Sequence, residues 1–82
     1  MEDNIKDAVI KLFESQSKNF QKSLKKEFNK NLNKYSDETV LVIYKDQKIR
    51  IQKIVDALKP LYGKKINFRL VEKILFNHLL SE

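Results

Sequence analysis

The chain of 82 residues makes one domain at most, with a core small enough that packing against a second subunit would help it. It has no cysteine, which excludes disulfides and thiolate metal sites. A net charge of +6 points to an acidic partner, and the longest apolar run, Val40 to Tyr44, is too short to cross a bilayer. The acidic start (Glu2, Asp3, Asp7) is unlike a signal peptide, so a cytoplasmic protein without membrane contact is expected. The charge is unevenly spread. Residues 1–14 hold two lysines against four acids, residues 15–36 six lysines against Glu27 alone, and residues 37–82 nine cations against six acids.

Residues 3–34 contain no Gly or Pro and read as helix. Ile5, Ala8, Val9, Leu12 and Phe13 form one apolar stripe. The polar stretch Glu14 to Asn19 fits either a break or a solvent-bridging turn. Beyond it, Phe20, Leu24, Phe28 and Leu32 recur every four residues, a slanted band of about 120° on a helix turning 100° per residue. One apolar residue per turn is thin for a core helix. It predicts a long arm at 1–34 that packs on a protein partner or a second copy of the chain, ahead of a small core at 36–82.

Ser36-Asp37-Glu38 could cap a short helix, or it could be a loop before a strand at Thr39 to Tyr44, which is rich in β-branched and aromatic residues. Lys48-Ile49-Arg50-Ile51-Gln52 alternates polar and apolar, which as a strand puts Ile49 and Ile51 on one face and the polar three on the other. Ile51, Ile54, Val55 and Leu58 also fit a helical stripe, so strand to Gln52 and helix from about Lys53 is the favoured division. Pro60 predicts an end to that helix near Lys59, closed by Gly63. Asn67 is a good N-cap for a final helix, and Ile66 and Val71 stand where a hydrophobic staple would be. That helix carries a main stripe of Phe68, Leu70, Val71, Ile74, Leu75 and Leu79. Phe76 and Leu80 lie on nearly the opposite side, which predicts a second packing body. The expected fold is mostly α with a short β element (α+β): a long N-terminal helix, a two-stranded ribbon or hairpin and two C-terminal helices. An all-α chain is the alternative.

Catalytic chemistry is poorly supplied, so an enzyme is not expected. His78, the only histidine, sits on the apolar side of the last helix and reads as a packed side chain. No second His or Cys stands at ligand spacing, the single glycine cannot build a phosphate-cradling loop, and no cofactor or metal is expected. Nucleic acid has three candidate surfaces. Lys48, Arg50 and Gln52 carry the side chains suited to base edges in a major groove. Lys64, Lys65, Asn67 and Arg69 surround a helix start, where amides and cations favour a phosphate. The lysines of 18–34 could track a backbone by releasing counterions. An ordinary charged edge strand and a solvated helix face are the plainer meanings of the first and third. Single-stranded RNA is less favoured, because the five phenylalanines occupy apolar positions; Tyr35, Tyr44 and Tyr62 remain as stacking platforms but form no recognisable array.

Residues 47–80, taken as strand, short helix, glycine turn and capped helix, resemble the ribbon–helix–helix family of dimeric DNA-binding proteins. The resemblance implies a ribbon of two paired strands in the major groove. Lys48, Arg50 and Gln52 would then be base readers, and Lys65, Ile66 and Asn67 the phosphate anchor. The first helix is about one turn short for that pattern, and an intramolecular hairpin serving as a wing beside a helix–turn–helix is a variant. The expectation is a homodimeric, sequence-specific duplex DNA-binding protein: a transcriptional regulator or an accessory factor of a plasmid, phage or mobile element. Phe20, Leu24, Phe28, Phe76 and Leu80 would line its dimer or partner interface. A helical protein–protein adaptor working through the N-terminal arm is the rival, and a membrane-surface helix at 18–34 a weaker third option.

Overall fold

The computed structural model describes residues 2–30 and 45–80, and these form four α-helices and one short 3-10 turn. Helix α1 spans Glu2–Glu14, α2 Lys18–Lys30, α3 Lys45–Tyr62 and α4 Phe68–Leu80, with the 3-10 turn at Gly63–Lys65. There is no strand among the described residues, so the fold is all-α, and the expected α+β architecture is corrected. The proposed strand at 39–44 lies outside the described residues.

The polar stretch after Glu14 is a true break. Ser15 N–H bonds back to the Lys11 and Leu12 carbonyls, its hydroxyl donates to Leu12 O at 2.6 Å, and Gln16 N–H reaches Phe13 O. Ser17 then caps α2 by accepting from Phe20 N–H at 3.2 Å, as a short hydroxyl side chain at that position should. The Gln21 amide donates to the carbonyls of Glu14 and Gln16, tying the start of α2 to the end of α1.

Segment 48–52 is helical because the 3.6-residue pattern buries more than the alternating one. Ile51, Ile54, Val55 and Leu58 all enter the core, and each buried aliphatic side chain stabilises by about 1.5–3 kcal/mol. A strand over 48–52 would have buried Ile49 and Ile51 only. The two are 200° apart on a helix, and the structure separates them: Ile51 is 0 % exposed and Ile49 67 %. Helix α3 also continues through Pro60 to Tyr62 rather than stopping at Lys59. The carbonyl that Pro60 leaves without its helical donor belongs to Asp56, an exposed residue that water can satisfy. Gly63 ends α3 at φ +57°, a left-handed conformation that glycine adopts without steric penalty.

Helix α4 begins as its sequence predicts. The Asn67 side-chain oxygen accepts from Leu70 N–H at 2.9 Å, and Ile66 and Val71 on either side of the cap are fully buried. It is the central element and packs against α1, α2 and α3. This explains its two apolar faces without a second subunit. Phe76 meets Phe28 of α2 edge-on at 5.3 Å, and Leu80 packs against the same core. Residues 2–30 are likewise not an arm. Ile5, Val9 and Phe13 of α1 and Phe20, Leu24 and Phe28 of α2 are buried in one cluster with α3 and α4, and Phe13 meets Phe20 edge-on at 5.5 Å. One buried aromatic or leucine per turn suffices because α4 covers the band.

Candidate nucleic-acid interface

With 48–52 in a helix, the expected base-reading residues part company. Lys48 and Gln52 are one turn apart on one flank of α3, and Arg50 projects on the other. Lys48, Ile49, Gln52 and Phe68 line a shallow, mainly apolar groove of about 400 Å³ between α3 and the start of α4. The Gln52 amide is engaged with Asp56 at 2.9 Å. Arg50 instead lies with its guanidinium 5.6 Å from the centre of the Phe20 ring, beside α2. No single face presents the three side chains, so the shared strand face expected to join them is corrected.

The expected phosphate residues stay together at one end of α4. Lys64 and Lys65 are exposed in the 3-10 turn, Asn67 caps the helix and Arg69 is half-buried in its first turn. The expected interface residues Phe20, Leu24 and Phe28 are fully or almost fully buried within the chain, and Phe76 and Leu80 are half-buried against them, so none forms an open apolar face. His78 is half-buried, with Phe13 edge-on at 6.5 Å and its Nε2 3.6 Å from a Glu14 carboxylate oxygen. Among the described residues no group of three His, Cys, Asp or Glu side chains could hold a metal ion.

Helix α2 presents the most concentrated charge. Lys18, Lys22, Lys25 and Lys26 fall within an arc of about 100°, centred about 150° around the helix from the Phe20–Leu24–Phe28 band. Burying that band against α4 turns the lysine arc to solvent: Lys18, Lys22 and Lys26 are exposed and Lys25 half-exposed. The four span about 12 Å along a rigid helix at 1.5 Å per residue. None pairs with a carboxylate among the described residues. The acids are concentrated instead on α1, where four face two lysines in sequence.

Beside this arc lies a second groove, of about 310 Å³, lined by Ser17, Asn19, Phe20 and Ser23 of α2 and its cap and by Gln47 and Arg50 of α3. Gln47 is almost fully buried and its amide donates to the Ser23 hydroxyl at 2.7 Å.

Sequence reasoning missed one buried group. Glu72 of α4 is 0 % exposed, and neither carboxylate oxygen has a hydrogen-bond partner. Burial pushes its carboxyl up from 4.5 to about 7. The signal was present, since Glu72 lies four residues after Phe68 and three before Leu75 on the most apolar face of α4. No family model matches this chain, and no curated protein or solved structure is significantly similar to it.

Proposed function

We propose that the chain binds duplex DNA through the phosphate backbone, with the lysine arc of α2 as the principal contact. The observation that carries this is the arc itself: four lysines on one helix, turned outward by the core and paired with no carboxylate among the described residues. Such an array gains affinity by releasing counterions condensed on the polyanion. A duplex suits it better than a single strand. Every aromatic side chain described is buried or half-buried, so the described residues offer no exposed platform on which unpaired bases could stack. Because Lys48, Arg50 and Gln52 do not share a face, recognition by backbone contact is favoured over reading of base edges.

Fluorescence anisotropy with short duplexes of unrelated sequence tests this. The four lysine contacts alone contribute about −3.6 to the slope of the logarithm of the association constant against the logarithm of salt concentration, similarly for every sequence. Lys22→Ala with Lys26→Ala should make the slope shallower by nearly two. Absence of binding to any duplex at low salt rejects the proposal.

A further inference from the structure

Hydrogen-bond polarity distinguishes the groove between α2 and α3 from the rest of the basic surface. Ser17 Oγ already accepts from Phe20 N–H, and Ser23 Oγ already accepts from the Gln47 amide. Each hydroxyl carries one proton, and neither proton has an acceptor among the described residues. Both are therefore left to donate. Asn19 adds a further amide, and Arg50 can only donate. No carboxylate stands among the described lining residues. A groove whose free hydrogen-bonding capacity is mostly donor, with one fixed positive charge, is complementary to an anion rich in acceptor oxygens.

The position of Arg50 adds geometry. Arg50 is exposed, and its guanidinium lies over the Phe20 ring at 5.6 Å from the centre, a contact that biases a long side chain toward the groove. A planar fork placed in this way offers paired N–H groups suited to two oxygens of one phosphoryl group. Asn19 and Ser23 are each three residues from Lys22 or Lys26, so the groove opens directly onto the lysine arc.

We infer that this groove seats one phosphoryl group, held by the Arg50 fork and by the hydroxyl of Ser23, and that in the complex it takes a backbone phosphate of the strand tracked by α2. The second half of this assignment rests on the duplex-binding reading above; the first does not. Arg50 thus fixes where the strand lies along the helix, whereas the lysines supply attraction over its whole length.

Two measurements on the full chain separate these parts. In anisotropy titrations with a mixed-sequence duplex, Arg50→Ala should remove one phosphate contact. With a slope contribution of 0.9, that is about an eightfold loss of affinity at 0.1 M salt, and a slope shallower by about one. Arg50→Lys should keep the slope but recover affinity only in part, because an ammonium lacks the fork. In parallel, inorganic phosphate is titrated into the isotopically labelled protein. Saturable amide shifts centred on Ser23, Gln47 and Arg50, abolished in Arg50→Ala, are expected. Duplex binding unchanged in Arg50→Ala, with no localised phosphate shifts, overturns the groove and leaves the lysine arc standing. Localised phosphate shifts without any duplex binding overturn the DNA assignment and keep the groove as a phosphoryl site for another source, such as a phosphopeptide. Absence of both effects overturns both.

Discussion

Replacing Glu72 by leucine should change the pH dependence of stability more than any other single substitution at the described positions. The carboxyl is fully buried without a hydrogen bond, and its ionisation is opposed by desolvation. Among the described residues, the buried side chains of α1, α2 and α3 are all apolar except Gln47, so none of them brings a charge to it. In the unfolded chain the group ionises near 4.5, and in the fold near about 7. At 1.36 kcal/mol per unit, the difference amounts to about 3 kcal/mol. The folded value is the higher one, so between the two values the native state holds more protons than the unfolded state, and stability falls as pH rises. The stabilising contribution is complete below pH 4.5 and lost as pH passes through about 7. Urea unfolding of the wild type and Glu72→Leu between pH 5 and pH 8.5 isolates this, because the other titrating groups cancel in the comparison. The advantage of the leucine variant should widen by about 2–3 kcal/mol over that span. That is a large fraction of the 5–15 kcal/mol typical of small domains. A difference that stays flat with pH would show that Glu72 reaches water or a cation in the folded protein, and would refute the reasoning.

The helical register of 48–52 predicts a sharp contrast between two isoleucines. Ile51→Ala should cost about 2–5 kcal/mol in urea unfolding, whereas Ile49→Ala should stay within about 0.5 kcal/mol; equal costs would contradict the helix. Asn67→Ala removes the cap to Leu70 and should destabilise by about 1 kcal/mol, with Asn67→Ser recovering most of it. Gly63→Ala meets no neighbouring atom but must hold φ near +57°, so a cost of about 1–2 kcal/mol in the same assay is expected from the backbone alone.

The sequence was legible where one local cause sufficed. Asn67 with Ile66 and Val71 located the start of α4, and Gly63 the turn before it, because caps and left-handed turns depend on a few adjacent residues. Segment 48–52 was not legible, since Ile49 and Ile51 satisfy a strand while Ile51, Ile54, Val55 and Leu58 satisfy a helix. Only packing against α4 decides between them. The band Phe20–Leu24–Phe28 read as an arm for the same reason: a narrow stripe shows that something covers it, not whether the cover belongs to the same chain. Arg50 drew notice on the polar side of an alternating segment, yet its groove is made with Phe20 and Ser23, about thirty residues earlier, a pairing that no local pattern contains. Glu72 escaped because a carboxylate is exposed by default, even in the middle of an apolar face.

The central place of α4 bears on how the chain acquires its structure during synthesis. The helix that packs most extensively on the others is made after all of them. While α1, α2 and α3 leave the ribosome they can pack on one another, but the parts of their apolar stripes that will meet α4 stay uncovered. Completion of the core thus waits for residues 68–80 to emerge. A nascent chain arrested before Phe68 should stay accessible to protease and to chaperones that bind exposed apolar helices, and should lose that accessibility in one step once α4 is free of the exit tunnel.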